Sequence, residues 1–269
     1  MEISIIGGDR RNLYLKKLME EDGYNVGLCG FSALQQDTRP FLRTLLSDVI
    51  IGGIPFVKDN KIFAPHGYNL EKSVLLKALR PSQILIGGGF EDIELPCKFL
   101  DLAKDDTFLQ KNAIPTAEGI IKLAISDTDT ILTDSNIMII GNGRIGSICA
   151  NMFVGLGAFV NIVIESPSNL AFCGGYNRRF IKYGEINKFL PQMDIIVSTP
   201  PGEILTKYHL NHIKKDALII DISSTPHGVS EQVADIIKTI RPRALPGKVA
   251  PKSGARFMKD AIYNYLEGR

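Results

Sequence analysis

The segment IIGNGRIGSICANMFVGLGAFVNIVIE (139–165) sets three glycines, Gly141, Gly143 and Gly146, between an apolar run and a helical pattern, and closes on the carboxylate of Glu165. Each glycine has a physical use in holding a dinucleotide: the first permits a tight turn, the second lets backbone approach a pyrophosphate, and the third lets a helix pack on a strand. The helix that follows offers free N–H groups and the positive end of its dipole to phosphates. Asn142, Arg144 and Ile145 complete the loop. Glu165 stands 165 − 141 = 24 positions after Gly141, near the spacing of about 20 at which a carboxylate holds the ribose 2′-hydroxyl. A carboxylate there repels a 2′-phosphate, which favours NAD over NADP, although Arg144, Arg178 or Arg179 could reach such a phosphate. Further on, STPPG (198–202), with Thr199 and Pro200, follows an apolar run where such folds set the nicotinamide; two prolines merely ending a strand is an equal reading.

Other groups are less specific. IIGGDRRN (5–12) also joins a strand to a helix, and either binds an anion through Arg10, Arg11 and the helix start or simply turns the chain. His66 and His227 fall in loops, where a neutral imidazole can do acid or base work. His209 and His212, three apart on a polar helix, lack a third ligand and are expected to face solvent, so no metal site is assigned. Cys29, Cys97, Cys149 and Cys173 are scattered without a CxxC pair, the pattern of reduced, mostly buried thiols.

Positioning these residues requires alternating strands and helices, and the chain supplies them. Short β-branched runs at 2–8, 25–31, 48–54 and 83–89 are separated by helical patterns at 11–23 and 70–79. A second series follows, with strands at 136–141, 159–165, 193–199 and 217–223 and helices at about 144–156 and 205–213. The expected class is α/β, with Rossmann-like doubly wound parallel sheets in two domains. Residues 112–128 read as a linking helix with Thr116 as its N-cap, and 250–268 as a helix that returns to the first domain. The expected division is therefore 1–112 completed by 250–269, the link at 113–128, and a nucleotide-binding domain at 129–249.

Composition excludes several classes. A net charge of +2 with no dense run of Lys or Arg argues against nucleic acid. No apolar run approaches the roughly 18 residues that span a bilayer, and MEISIIGGDRR carries no signal-peptide pattern, so a cytoplasmic protein is expected.

Four segments, IIGGDRRN, NAIPTAEGIIKLAI (112–125), IIGNGRIG and above all LPGKVAPKSG (245–254), resemble in order those of the dipicolinate synthase A-type polypeptides. The broader likeness is to the D-2-hydroxyacid dehydrogenases, with the same two-domain plan. The resemblance implies NAD(P)-dependent oxidation of dihydrodipicolinate, or of its hydroxylated precursor, to dipicolinate in the mother cell of a sporulating bacterium. It implies NADP as cofactor, the flavoprotein-like B subunit of dipicolinate synthase for a partner, and a hetero- or homo-oligomer. Arg10, Arg11, Lys248 and Lys252 then face a small dicarboxylate near an interdomain cleft, and Glu118 and Thr116 are candidates for the base and for substrate contact, unless they only cap the linking helix.

Two departures stand out. Glu165-Ser166 replaces an Arg-Ser pair, and TPHG (225–228) replaces an Arg-Pro-Gly-Gly type loop. They favour one alternative, a dinucleotide-binding regulatory or scaffold subunit without turnover; a stand-alone 2-hydroxyacid dehydrogenase is the other alternative, disfavoured because SSTPHG stands where the Arg-Gly of those enzymes is expected.

Overall fold

A computed structural model describes residues 1–34, 36–64, 68–165 and 177–268. His66, Ser166 and Cys173 lie outside them. The chain forms two compact units, Met1–Asn112 with Pro246–Arg269, and Ala113–Leu245.

In the first unit β1 (Ile3–Ile6), α1 (Arg10–Glu21), β2 (Val26–Cys29), α2 (Phe41–Thr44) and β3 (Val49–Ile51) lead to a hairpin, β4 (Val57–Lys58) and β5 (Lys61–Ile62). Its two-residue turn, Asp59-Asn60, has φ of 51° and 63°, the left-handed pair that suits a twisted hairpin and that Asp and Asn tolerate. Then come α3 (Lys72–Ala78), β6 (Ile84–Gly87) and β7 (Lys98–Asp101). The sheet order is β2-β1-β3-β6-β7, with every pairing parallel. Strand order reverses at β1/β3, the flavodoxin-like pattern. Strands of such a sheet are buried on both faces: Ile3 and Ile5 enter one core, and Ile6, Ile50 and Phe56 the other. The last helix, α9 (Pro251–Leu266), gives Ala255, Met258, Ala261 and Ile262 to the first core, one stripe at helical spacing.

Between the two series runs α4 (Asp106–Asp127), which begins well before the expected start at 112. Its N-terminal cap is Asp105, whose Oδ1 accepts from Phe108 N at 2.7 Å. Thr116 is therefore a residue of the helix interior, not its N-cap. Pro115 suggested a start there, but the helix carries it inside.

The second unit contains β8 (Asn136–Ile140), α5 (Arg144–Gly155), β9 (Phe159–Ile164), β10 (Arg178–Lys182), α6 (Ile186–Phe189), β11 (Ile195–Ser198), β12 (Leu218–Asp221), α7 (Glu231–Ala234) and β13 (Thr239–Ile240). All its strands pair in parallel in the order β10-β9-β8-β11-β12-β13. This is the doubly wound 3-2-1-4-5-6 arrangement, whose crevice opens between the carboxyl ends of β8 and β11. The helix expected at 205–213 is a six-residue 3₁₀ segment, Lys207–His212. His209 is not simply solvent-facing, because its Nδ1 accepts from Thr206 N at 3.1 Å and burial lowers its pKa. The tail begins with a short helix, α8 (Leu245–Val249), before α9.

Candidate functional site

At the reversal point of the second sheet lies a cavity of about 790 Å³. Gly141, Asn142 and Gly143 line it from the loop after β8, Glu165 from the end of β9, and Pro200 to Ile204 from the loop after β11. Three different jobs separate the glycines. Gly141 has φ +95°, and a Cβ there would stand 2.5 Å from Thr199 Oγ1. A Cβ on Gly146 would stand 2.2 Å from the Gly141 carbonyl oxygen, so this glycine sets how closely α5 meets β8. Gly143, the N-cap of α5, has no such neighbour: among the described residues a Cβ there would meet nothing within 4 Å. Among the described residues no side-chain hydrogen bond caps α5 at Gly143. Arg144 and Ile145 form the first turn of that helix. Thr199 ties the two loops together, its N and Oγ1 both donating to Ile140 O, at 3.1 and 2.9 Å. The residues present fit a pyrophosphate-bearing ligand.

Two of the three arginines considered for a 2′-phosphate are at the wrong end of the sheet. Arg178 and Arg179 pair in register with Val160 and Asn161, at the start of β9. Five and four residues separate those positions from Glu165, roughly 16 and 13 Å along a strand. Both guanidiniums are engaged there, Arg178 with Asn151 Oδ1 and Arg179 over the ring of Phe189.

The glycine loop of the first unit is built differently. Asp9 caps α1 with a full capping box: its carboxylate accepts from the helix N–H groups while Asn12 Oδ1 accepts from Asp9 N at 3.1 Å. Arg11 is 3% exposed and closes on the same carboxylate, with Nη2 2.9 Å from Oδ2 and Nε 3.0 Å from Oδ1. A carboxylate of the chain itself thus occupies the helix start, and the structure corrects the expectation that Arg11 offers a free cation to an anion. Arg10, exposed, makes no hydrogen bond or ion pair among the described residues.

The stretch that carries Lys248 and Lys252 packs on this loop. A Cβ on Gly247 would lie 2.5 Å from Asp9 Oδ2, and one on Gly254 would lie 2.9 Å from Arg11 Cδ. Lys248 and Lys252 are themselves exposed. In the second unit Glu118 is exposed on α4 and Thr116 is half-buried, while Gly119 is covered by Leu245, whose Cδ2 would lie 2.9 Å from a Cβ there.

The loop after β12 folds around Asp221, whose side chain is buried and accepts from Ser223 Oγ at 2.6 Å and Val229 N at 3.2 Å. Arg241 Nε lies 3.6 Å away. His227 turns Nδ1 toward Ser223 O at 3.3 Å and lies 4.0 Å from Asp221 Oδ2. This loop braces the one after β11, since Gly202 N and Ile204 N donate to Pro226 O and Gly228 O, both at 2.8 Å.

Sequence reasoning missed three lining residues, Tyr183, Glu203 and Ile204. The signal for Tyr183 was RRFIK, a five-residue strand that its charged residues disguised. Cys29 and Cys149 are buried free thiols, and burial pushes the Cys149 pKa up to about 12. Among the described residues no helix is long and apolar enough to cross a membrane.

Comparison with known proteins finds relatives along the whole chain. Residues 2–94 match the family described as the N-terminal domain of the dipicolinate synthase A-type polypeptide, and residues 122–240 match shikimate / quinate 5-dehydrogenase. The A-type polypeptide of dipicolinate synthase from Bacillus subtilis (strain 168) is 26% identical, over 99% of this chain and 96% of the relative. The crystal structure of that enzyme's A-type polypeptide from Bacillus subtilis superposes with a TM-score of 0.83 at 27% identity, covering 100% of this chain and 96% of that one. Its counterpart from Bacillus halodurans gives 0.87 at 24% identity, covering 98% and 97%.

Proposed function

We propose that this chain, which resembles the A-type polypeptide of dipicolinate synthase from end to end, is an NAD(P)-dependent oxidoreductase that converts dihydrodipicolinate to dipicolinate. The observation that carries this is the contrast between the two glycine loops. The start of α1 is filled by Asp9, whereas among the described residues no side chain caps α5, and its N-cap Gly143 lines a cavity that Glu165 also lines.

In this reading Gly141, Asn142, Gly143 and the first turn of α5, with Arg144 and Ile145, receive the pyrophosphate, and Gly146 seats the helix. Glu165, followed by Ser166, accepts from the ribose hydroxyls and disfavours a 2′-phosphate, so NAD is preferred although the family implies NADP. Thr199 and Pro200 border the nicotinamide. Aromatisation of the dihydro ring removes a hydride, for which a bound nicotinamide supplies the acceptor, and a proton, for which the chain supplies a base. From the hydroxylated tetrahydro precursor, loss of water comes first. Glu118 is the proposed base and Thr116 the substrate contact. Arg10, Lys248 and Lys252 hold the two carboxylates, and Arg11 acts through Asp9.

The flavoprotein-like B subunit of dipicolinate synthase completes a hetero- or homo-oligomeric complex in the cytoplasm of the mother cell during sporulation. The TPHG loop, without the arginine of the relatives, favours a second reading in which the chain binds the dinucleotide in a regulatory or scaffold role. Formation of NAD(P)H from freshly generated dihydrodipicolinate, with and without a B-type flavoprotein, tests both. Turnover by the chain alone or with its partner supports the enzyme. Dinucleotide binding with no turnover in either mixture supports the scaffold.

A further inference from the structure

We infer that Tyr183 is the base-binding wall of the dinucleotide site, its ring stacking on adenine beside the ribose held by Glu165. The inference rests on the dinucleotide reading above and adds a residue to it. Lys182 pairs in register with Ile164, so the next residues, Tyr183 and Glu165, leave neighbouring parallel strands at the same level. Both line the cavity, and Tyr183 is its one aromatic residue among the described ones.

The order of the strands supplies the rest. β8, β9 and β10 lie side by side, about 4.8 Å apart. Their carboxyl ends present, in turn, the glycine cradle, a carboxylate and an aromatic ring. A nucleotide presents phosphate, sugar and base in the same order and at similar steps. Adenine is flat and uncharged, and an aromatic ring gives it a stacking face without depending on hydrogen-bond geometry. Val163 and Ile164 add apolar surface to the same part of the cavity. The Tyr183 hydroxyl has a raised pKa, through burial and then the charge of Glu165, so the ring remains neutral beside the carboxylate at physiological pH. Tyr183 is 41% exposed and outside the buried core, so its replacement is expected to leave the fold intact.

The test uses the full chain with NADH, ADP-ribose and the reduced mononucleotide NMNH as separate probes. Tyr183→Ala is expected to weaken NADH and ADP-ribose alike, by roughly 5- to 100-fold, the usual effect of losing one stacked base, and to leave NMNH unchanged. Tyr183→Phe should keep wild-type affinity. Because the chain has no tryptophan, Tyr183→Trp also places a single reporter at the site, and ADP-ribose but not NMNH should alter its emission. Unchanged ADP-ribose affinity in Tyr183→Ala, or equal loss for NMNH, would overturn the inference while leaving the dinucleotide site standing. Wild-type protein that binds none of the three probes would remove the underlying reading instead.

Discussion

The carboxylate of Asp9 lies so close to the backbone of Gly247 that a Cβ on Gly247 would stand 2.5 Å from Oδ2. Asp9 cannot yield, because Arg11 and the first turn of α1 hold it. Gly247→Ala should therefore lower stability by about 1–3 kcal/mol through overpacking, read as a lower urea midpoint with an unchanged m-value. Arg11→Met, which leaves the Asp9 charge without its partner, should cost about as much as breaking a buried pair, roughly 3 kcal/mol. A neutral result for both would mean that this cluster does not secure the segment carrying Lys248 and Lys252.

The glycines of the second loop separate fold from binding. Gly146→Ala puts a methyl 2.2 Å from the Gly141 carbonyl oxygen and should destabilise the unit by several kcal/mol, on the order of the largest point-mutation effects. Gly143→Ala has open space and an ordinary φ of −76°, so its melting temperature should match wild type. Its dinucleotide affinity should nevertheless fall about tenfold or more, because the methyl enters the phosphate's approach. Thermal melts paired with NADH titrations check both.

Glu165→Arg should invert cofactor preference. On the proposed reading a carboxylate that would repel a 2′-phosphate becomes a cation that would pair with it, and Arg178 and Arg179 stand at the other end of the sheet. The ratio of NADP to NAD affinity is expected to rise by roughly 10- to 100-fold. An unchanged ratio would remove Glu165 from the ribose site.

The last turn of α1 is tied to α9 through Asp22, which accepts from Lys259 Nζ at 2.7 Å and Tyr263 Oη at 2.8 Å. The hydrogen bond from Lys259, followed by that from Tyr263, holds the Asp22 carboxyl below its ordinary 3.8. A depressed folded value stabilises above the unfolded one and is lost as pH falls through the folded one. Asp22→Asn should melt slightly below wild type at pH 7, and the two should converge as pH drops below that range. A gap that persists in strong acid would assign the effect to packing.

Much of this arrangement was legible in the residues, and what was not has identifiable physical causes. Interior strands such as β1, β3, β8 and β11 are β-branched runs with both faces buried, and glycine or Ser-Thr-Pro marks their ends. The strands missed in the two large sheets, β7, β10 and β13, all lie at sheet edges. Edge strands are short and charged, which protects them from mispairing and erases the apolar signal; RRFIK is the example. Losing β10 also hid Tyr183. The start of α4 was misplaced because Pro115 and Thr116 imitate a helix start, while Asp105 supplies the cap. Arg11 looked like a ligand for an anion because sequence does not reveal that Asp9, two residues earlier, takes its guanidinium.

Whether the cavity beside Gly143 takes a nicotinamide dinucleotide is decided by titrating the full chain with NADH and NADPH and following the nucleotide's fluorescence. Saturable binding in the micromolar to submillimolar range usual for such cofactors, tighter for NADH and weakened by Gly143→Ala without loss of folding, is the predicted result. Absence of binding of either nucleotide at millimolar concentration, by protein whose melt shows it folded, would contradict it.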